Sequence, residues 1–215
     1  MTLRAFTFVV LALIQLAGPA RAAETPPPWR AGVATRVITP KSAMWMGGYA
    51  ARTHPSTGTL QDLHAKALAL ADAQGGRFVI ITIDAIGIPR SLRKAVERRL
   101  AESAQLRPDQ FVIVASHTHS GPEFRAGRVS ETDPNGVATS RAYLEMLEQT
   151  LPAIALEALT ALAPAKVAHT RSRAGFAMNR RLPQPNGDFT NAPNPEGPVD
   201  HDVPVLRVDG ADGKL

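Results

Sequence analysis

Apolar residues in this chain fall into short runs broken by Gly, Pro, Asn and Asp, and the spacing inside each run predicts its element. "AGVATRVITP" alternates Val33, Thr35 and Val37 with small or polar residues and stops at Pro40, as a short strand does. "AKALALAD" and "RFVIITIDAIGI" have strand length and are joined by "AQGG", which predicts an antiparallel hairpin at the centre of a sheet. In "RSLRKAVERRLAESA", Leu92, Val96 and Leu100 recur at steps of four with charges elsewhere, the pattern of a helix with one buried face. "QFVIVAS" reads as a further strand. A polar loop holding "ETDPNG" leads into a long helix, predicted from about Ser140 as N-cap to Leu162, with a kink at Pro152. "AKVAHTRSRAG" reads as a strand, "NRRLPQPNGDFTNAPNPEGP" as a long Pro/Asn loop, and "VPVLRVDGADGKL" as a strand entering a turn. Strands interleaved with two helices predict an α/β or α+β fold, a mixed β-sheet with packed helices.

Between the first two strands lies "MWMGGYAARTHPSTGTLQD", a long loop with conformational freedom at Gly47 and Gly48. Its Met44, Trp45, Met46 and Tyr49 either pack beneath the loop as a satellite of the core or line a substrate site. The run "FVIVASHTHSGPEF" ends a buried strand in two histidines one residue apart. If the chain stays extended that far, His117 and His119 point to one side. Strand ends in such sheets are where sites form. Imidazole is the commonest zinc ligand, and a catalytic zinc takes about three protein ligands plus a water. The pair is therefore either part of a metal site or two surface histidines beside a Gly-Pro turn. Asp84 closes the neighbouring run "FVIITID", where it could orient a ligand histidine or serve as a turn residue. Arg180 and Arg181 in "AMNRRL" could stabilise anionic charge.

Composition narrows the setting. Residues 1–22 carry Arg4, an apolar stretch from Ala5 to Ala17 and small residues at Ala20 and Ala22, and read as a secretory signal peptide. Residues 23–31 read as a Pro-rich linker. The expected location is outside the cytoplasm, periplasmic or secreted, with no transmembrane anchor. Removing Arg4 and Arg21 lowers Lys plus Arg from 24 to 22 against 19 acids, a net of +3, and these charges are dispersed, which argues against nucleic acid as a partner. Cysteine is absent, so disulfides and thiol nucleophiles are excluded.

The motifs "MGGY", "DLHAKALALAD", "VIITIDAIG", "ASHTHSGP", "NR" and "VDHDVPVLRVD" stand in the order found in the N-terminal domain of neutral/alkaline, non-lysosomal ceramidases. The resemblance covers the chain from about Gly32 to Leu215, and "HTHSGP" is its most specific part. It implies a zinc-dependent amidase that cleaves the N-acyl bond of ceramide to sphingosine and fatty acid with a zinc-activated water. On that resemblance His117 is similar to a zinc ligand, His119 to a polar partner of substrate or oxyanion, and Arg180 to a second substrate contact. Met46, Gly48 and Tyr49 resemble a substrate-binding loop beside the site. The implied cofactor is Zn2+ and the implied partner is a ceramide-like lipid, met at a membrane surface.

This chain departs from the family at Glu123, where a small residue such as Gly is common, and at Arg181, where Ser is common. The family's other zinc ligands, a His, a Glu and a Tyr, lie beyond the region covered, and His54, His64, His169 and His201 do not replace them. The strand "VLRVDG" enters a turn and meets Leu215 where a returning strand is expected, so residues 32–215 read as an incomplete N-terminal portion of a catalytic domain. Three alternatives remain: a truncated, non-catalytic exported domain, a hydrolase acting on a different amide, and a metal-dependent amidohydrolase barrel. The barrel places its His-X-His on the first strand, which does not suit the several strands that precede His117.

Overall fold

Small side chains set how the layers stack. In the computed structural model, which describes residues 29–130, 133–211 and 213, strand β2 (His64–Asp72) turns Ala65, Ala67 and Ala69 toward one face, each at most 2% exposed. The neighbouring strand β1 (Trp29–Val37) presents Gly32 to the same layer. A Cβ on Gly32 would lie 2.1 Å from the Ala158 carbonyl oxygen, so only glycine lets the long helix lie that close to the sheet.

The sheet has six strands in the order β4-β3-β2-β1-β5-β8. β3 (Arg77–Ile83) forms the expected antiparallel hairpin with β2, turned by Gly75 and by the Asp72 carboxylate, which accepts the amides of Gln74 and Gly76. β4 (Phe111–Ala115) joins β3 in parallel after helix α1 (Arg90–Ala104), and β5 (Ala163–Arg173) and β8 (Asp202–Gly210) extend the other side antiparallel. Helices α1 and α2 (Pro134–Thr160) cover one face. Leu92, Val96 and Leu100 of α1 and Leu147, Leu151 and Ile154 of α2 are fully buried against Val79, Ile81 and Ile83 of β3. Each such burial contributes about 1.5–3 kcal/mol. The result is α+β: a mixed sheet with two packed helices, as the apolar spacing predicts.

Three local expectations are corrected. The signal peptide and most of the linker lie outside the described residues, but residues 29–31 of that linker are the start of β1. Helix α2 begins at Pro134, ahead of Ser140. Asp133 is its N-cap and accepts the Gly136 amide at 2.9 Å, with Pro134 supplying a preset φ at the first position. Ser140 sits inside the helix, buried, and donates its hydroxyl to the Glu123 carbonyl at 3.0 Å. The Pro/Asn loop contains a short hairpin of β6 (Arg181–Pro183) and β7 (Phe189–Asn191), turned at Asn186-Gly187. Among the described residues no helix is long and apolar enough to cross a membrane.

Candidate active site

β3 and β4 run in parallel and end side by side, with Ile83 opposite Ala115. The "HTHSGP" turn therefore leaves the sheet next to the connection from β3 to α1. The extended chain stops before the histidines, however: His117 adopts a left-handed φ of 58°. This conformation is uncommon for a residue with a Cβ, although His is among those that enter it. The ring pair arises from that turn and not from strand alternation. The His117 and His119 centroids lie 5.2 Å apart at 68°.

Each ring is held by backbone. His117 Nδ1 is 2.8 Å from the Ile86 carbonyl oxygen. A carbonyl only accepts, so Nδ1 carries the hydrogen and Nε2 presents its lone pair. This replaces the role considered for Asp84, whose carboxylate instead accepts the His64 amide at 2.9 Å and caps β2. The His119 ring rests on the loop after β1. Residues 45–47 of that loop pair with 121–123: Glu123 N–H donates to Trp45 O at 2.7 Å, and Gly47 N–H to Gly121 O at 3.0 Å. The pairing brings Gly48, at φ 100°, under the imidazole, where a Cβ would lie 2.4 Å from His119 Cγ. Tyr49 meets the same ring edge-on at 4.8 Å.

Arg52 locks the arrangement. Its guanidinium donates to Gly47 O at 2.5 Å and His119 O at 2.6 Å and lies 5.0 Å from the Tyr49 ring centroid. Two hydrogen bonds from one rigid fork join the loop to the histidine turn.

These residues wall a cavity of about 620 Å³ that also takes in Glu123, Arg125 and Arg128. Glu123 is 6% exposed and accepts from Arg125 through Nε at 2.8 Å and Nη2 at 2.5 Å. Burial pushes the Glu123 carboxyl up, but the hydrogen bonds and charge of Arg125, helped by Arg128, outweigh it and hold the group below its ordinary value. A second cavity of about 640 Å³ lies across the same turn, lined by Thr118, Ser120 and Gly121 with residues of the loop after β1, and Met46 borders both.

The structure thus gathers Met46, Gly48, Tyr49, His117 and His119 around one space. Arg180 is elsewhere: it is exposed, ahead of β6, with Nε donating to Asn191 Oδ1 at 3.0 Å, and it does not line this cavity. Among the described residues no three His, Cys, Asp or Glu side chains gather closely enough to hold a metal ion. The residues that sequence reasoning passed over are Arg52, Arg125 and Arg128. Of these only Arg125 had a signal, its placement two residues after the unexpected Glu123.

Residues 29–184 match the family model described as neutral/alkaline non-lysosomal ceramidase, N-terminal. The chain belongs to this family. Among solved structures, neutral ceramidase from Pseudomonas aeruginosa is similar at 20% identity with a TM-score of 0.68, over 89% of this chain and 31% of that one. A structure titled as ceramidase complexed with C2 is similar at 21% identity and a TM-score of 0.66, over 88% and 30%. These likenesses show the shared fold, and the chain spans about a third of the length of either structure. No curated protein sequence matches the chain significantly.

Proposed function

We propose that this chain carries part of the active site of a zinc-dependent amide hydrolase of the ceramidase type, cleaving the N-acyl bond of a ceramide-like lipid to sphingosine and fatty acid. The observation that carries the reading is His117. Its Nδ1–H is committed to the Ile86 carbonyl, and its Nε2 has no hydrogen-bond partner among the described residues and lies beside His119, within the region that matches the family. The described residues do not make a zinc site by themselves, since one or two imidazoles fall short of the three or four ligands such a site needs. His117 is proposed as one ligand, with the others supplied from outside the described residues. Bound zinc supplies Lewis acidity to such a hydrolysis.

The chain's own residues have definable parts. His119, fixed by Gly48, Tyr49 and the Arg52 tie, is proposed to hydrogen-bond the amide or its developing oxyanion. Met46 and Tyr49 offer apolar surface to a lipid chain. Arg180 keeps a proposed substrate contact only if its segment closes on the cavity. The N-terminal 22 residues suggest export, with the lipid met at a membrane surface.

The incomplete donor set favours one second reading, a non-catalytic ceramidase-like domain. Zinc content and hydrolysis of a fluorescent ceramide by the full-length protein distinguish the two. His117→Ala is expected to lose zinc and activity together, and His119→Ala to lower turnover with zinc retained. Zinc retained in His117→Ala overturns the ligand assignment, and no turnover by the zinc-loaded wild type favours the non-catalytic reading.

A further inference from the structure

Gly47 stands one residue ahead of the glycine that seats His119, and both of its backbone polar groups are committed: its N–H donates to Gly121 O and its carbonyl accepts from Arg52. Its Cα is covered as well. A Cβ added there would lie 2.8 Å from Ile86 Cγ2 and 3.3 Å from Glu123 Oε2, so an apolar side chain and a carboxylate close over Gly47 together. A carboxylate as buried as that of Glu123 needs a partner to replace its lost water. Arg125 supplies it, with Nε donating to Oε1 at 2.8 Å, Nη2 to Oε2 at 2.5 Å and its backbone amide to Oε1 at 3.0 Å. The backbone of Glu123 is fixed too: its N–H donates to Trp45 O at 2.7 Å, and its carbonyl accepts from Ser140 of α2 at 3.0 Å. Trp45 in turn donates through Nε1 to Asp133, the cap of the same helix, at 2.6 Å.

From these contacts we infer that Glu123, locked by Arg125, is a positioning residue for His119: it braces Gly47, and through it Gly48, so that the loop after β1 stays against the imidazole. The inference rests on the proposed contact of His119 with the substrate amide and gives a role to a residue which that reading leaves out. A two-pronged pair of carboxylate and guanidinium has one preferred geometry, so it holds the carboxylate at a fixed height over Gly47, as a flexible apolar side chain would not. Arg52 pulls the loop toward the histidine turn from the Gly47 carbonyl, and Glu123 blocks its retreat at the Gly47 Cα. Shortening Glu123 opens a space beside Gly47 into which Gly48 and the ring above it can shift.

The test uses Glu123→Ala and Glu123→Gln in the full-length protein, each alone and combined with His119→Ala, and reads kcat and KM on a fluorescent ceramide together with zinc content. Glu123→Ala should lower kcat roughly 10-fold, less than the ~100-fold that a full 1 Å displacement can cost, with KM and zinc content unchanged. Glu123→Gln keeps the length of the side chain and an acceptor for Arg125, and should restore kcat to within about threefold of wild type. In the His119→Ala background neither substitution should cost anything more, because a brace acts only through the ring it places. Equal losses in the two backgrounds, zinc lost along with turnover, or a kcat for Glu123→Ala within about twofold of wild type overturns the inference. Should Glu123→Ala fail to fold, Glu123→Asp takes its place with the same expected outcomes, since it keeps the charge and withdraws it from Gly47 by one methylene. If the wild type hydrolyses no amide, the hydrolase reading fails instead, and the brace is tested by the rate at which diethyl pyrocarbonate modifies His119, followed by peptide mass. A faster rate in Glu123→Ala with His117 unchanged supports the brace, and an equal rate overturns it.

Discussion

Gly48→Ala separates the position of the His119 ring from every other property of the site. The added Cβ would stand 2.4 Å from His119 Cγ, 2.6 Å from Nδ1 and 2.7 Å from Cβ, whereas ordinary contact begins near 3.4 Å. The imidazole or the loop must therefore retreat by about 1 Å, and displacement of that size at a reacting centre can cost about 100-fold in rate. A second penalty comes from the backbone, since φ at Gly48 is 100° and a left-handed residue with a Cβ costs about 1–2 kcal/mol. Gly75→Ala isolates that second effect: its φ is 87° and nothing lies within 4 Å of the added Cβ. Both variants should lose a few degrees of Tm, consistent with about 1 kcal/mol in a domain of this size. Only Gly48→Ala should lose amide hydrolysis, by 10- to 100-fold in kcat/KM, in the full-length protein. Activity within twofold of wild type in Gly48→Ala, with the Tm loss present, would refute the claim that His119 must sit where the loop holds it.

Arg52→Lys replaces a two-pronged tie with a single point charge, so about a tenfold fall in kcat with the fold intact by circular dichroism is expected. Asp133→Ala removes both the α2 N-cap and the acceptor of Trp45 Nε1, 2.6 Å away, and should cost about 1–2 kcal/mol in denaturant unfolding, with a change in Trp emission. Tyr143 is buried with its hydroxyl donating to Ile38 O at 2.7 Å, and burial, then the charge of Asp84, raises its pKa. Its contribution is therefore present below the ordinary tyrosine pKa of about 10 and is lost as pH rises above it. Stability should decline on that alkaline limb, and Tyr143→Phe should flatten the decline while costing about 1–2 kcal/mol at neutral pH.

Much of the fold was legible because period and turn chemistry agree. The β2–β3 hairpin follows from two apolar runs around Ala-Gln-Gly-Gly, and α1 from Leu92, Val96 and Leu100 at helical spacing. The start of α2 was misjudged because Ser140 lies nearer the apolar run, yet Asp133-Pro134 is the stronger pair: a carboxylate that accepts an orphan amide, then a residue that needs no amide partner. Prolines hid the β6–β7 hairpin, although Asn-Gly was there to mark its turn. The site was legible by residue type and not by conformation. Periodicity placed two histidines together by assuming extended backbone, while the chain does it through a left-handed His117. Arg52 left no trace because its partners are carbonyl oxygens, which every residue carries.

The one parallel pair in the sheet explains why the chemistry gathers at this edge. β2 is antiparallel to β3 and leaves the sheet at the opposite edge, through the Asp72 turn, so that turn cannot meet the loops that follow β3. β3 and β4 leave the same edge, which puts the connection holding Ile86 against the turn holding His117 and makes the 2.8 Å bond between them a consequence of topology. Ser116 N–H still donates to Ile83 O at 3.0 Å, one residue past the strand, so His117 begins from a fixed position before its φ reverses. Among the described residues the loop after β1 is tied to the sheet only near its ends, where Ile38 N–H donates to Leu63 O at 2.8 Å. Its middle is fastened to the turn, by the bridge between Met46 and Pro122 and by Arg52. His117 is therefore held by the sheet and His119 by the loop. Substitutions in the loop should disturb substrate polarisation before they disturb the proposed metal ligand, and zinc content and turnover should separate in Gly48→Ala and Arg52→Lys.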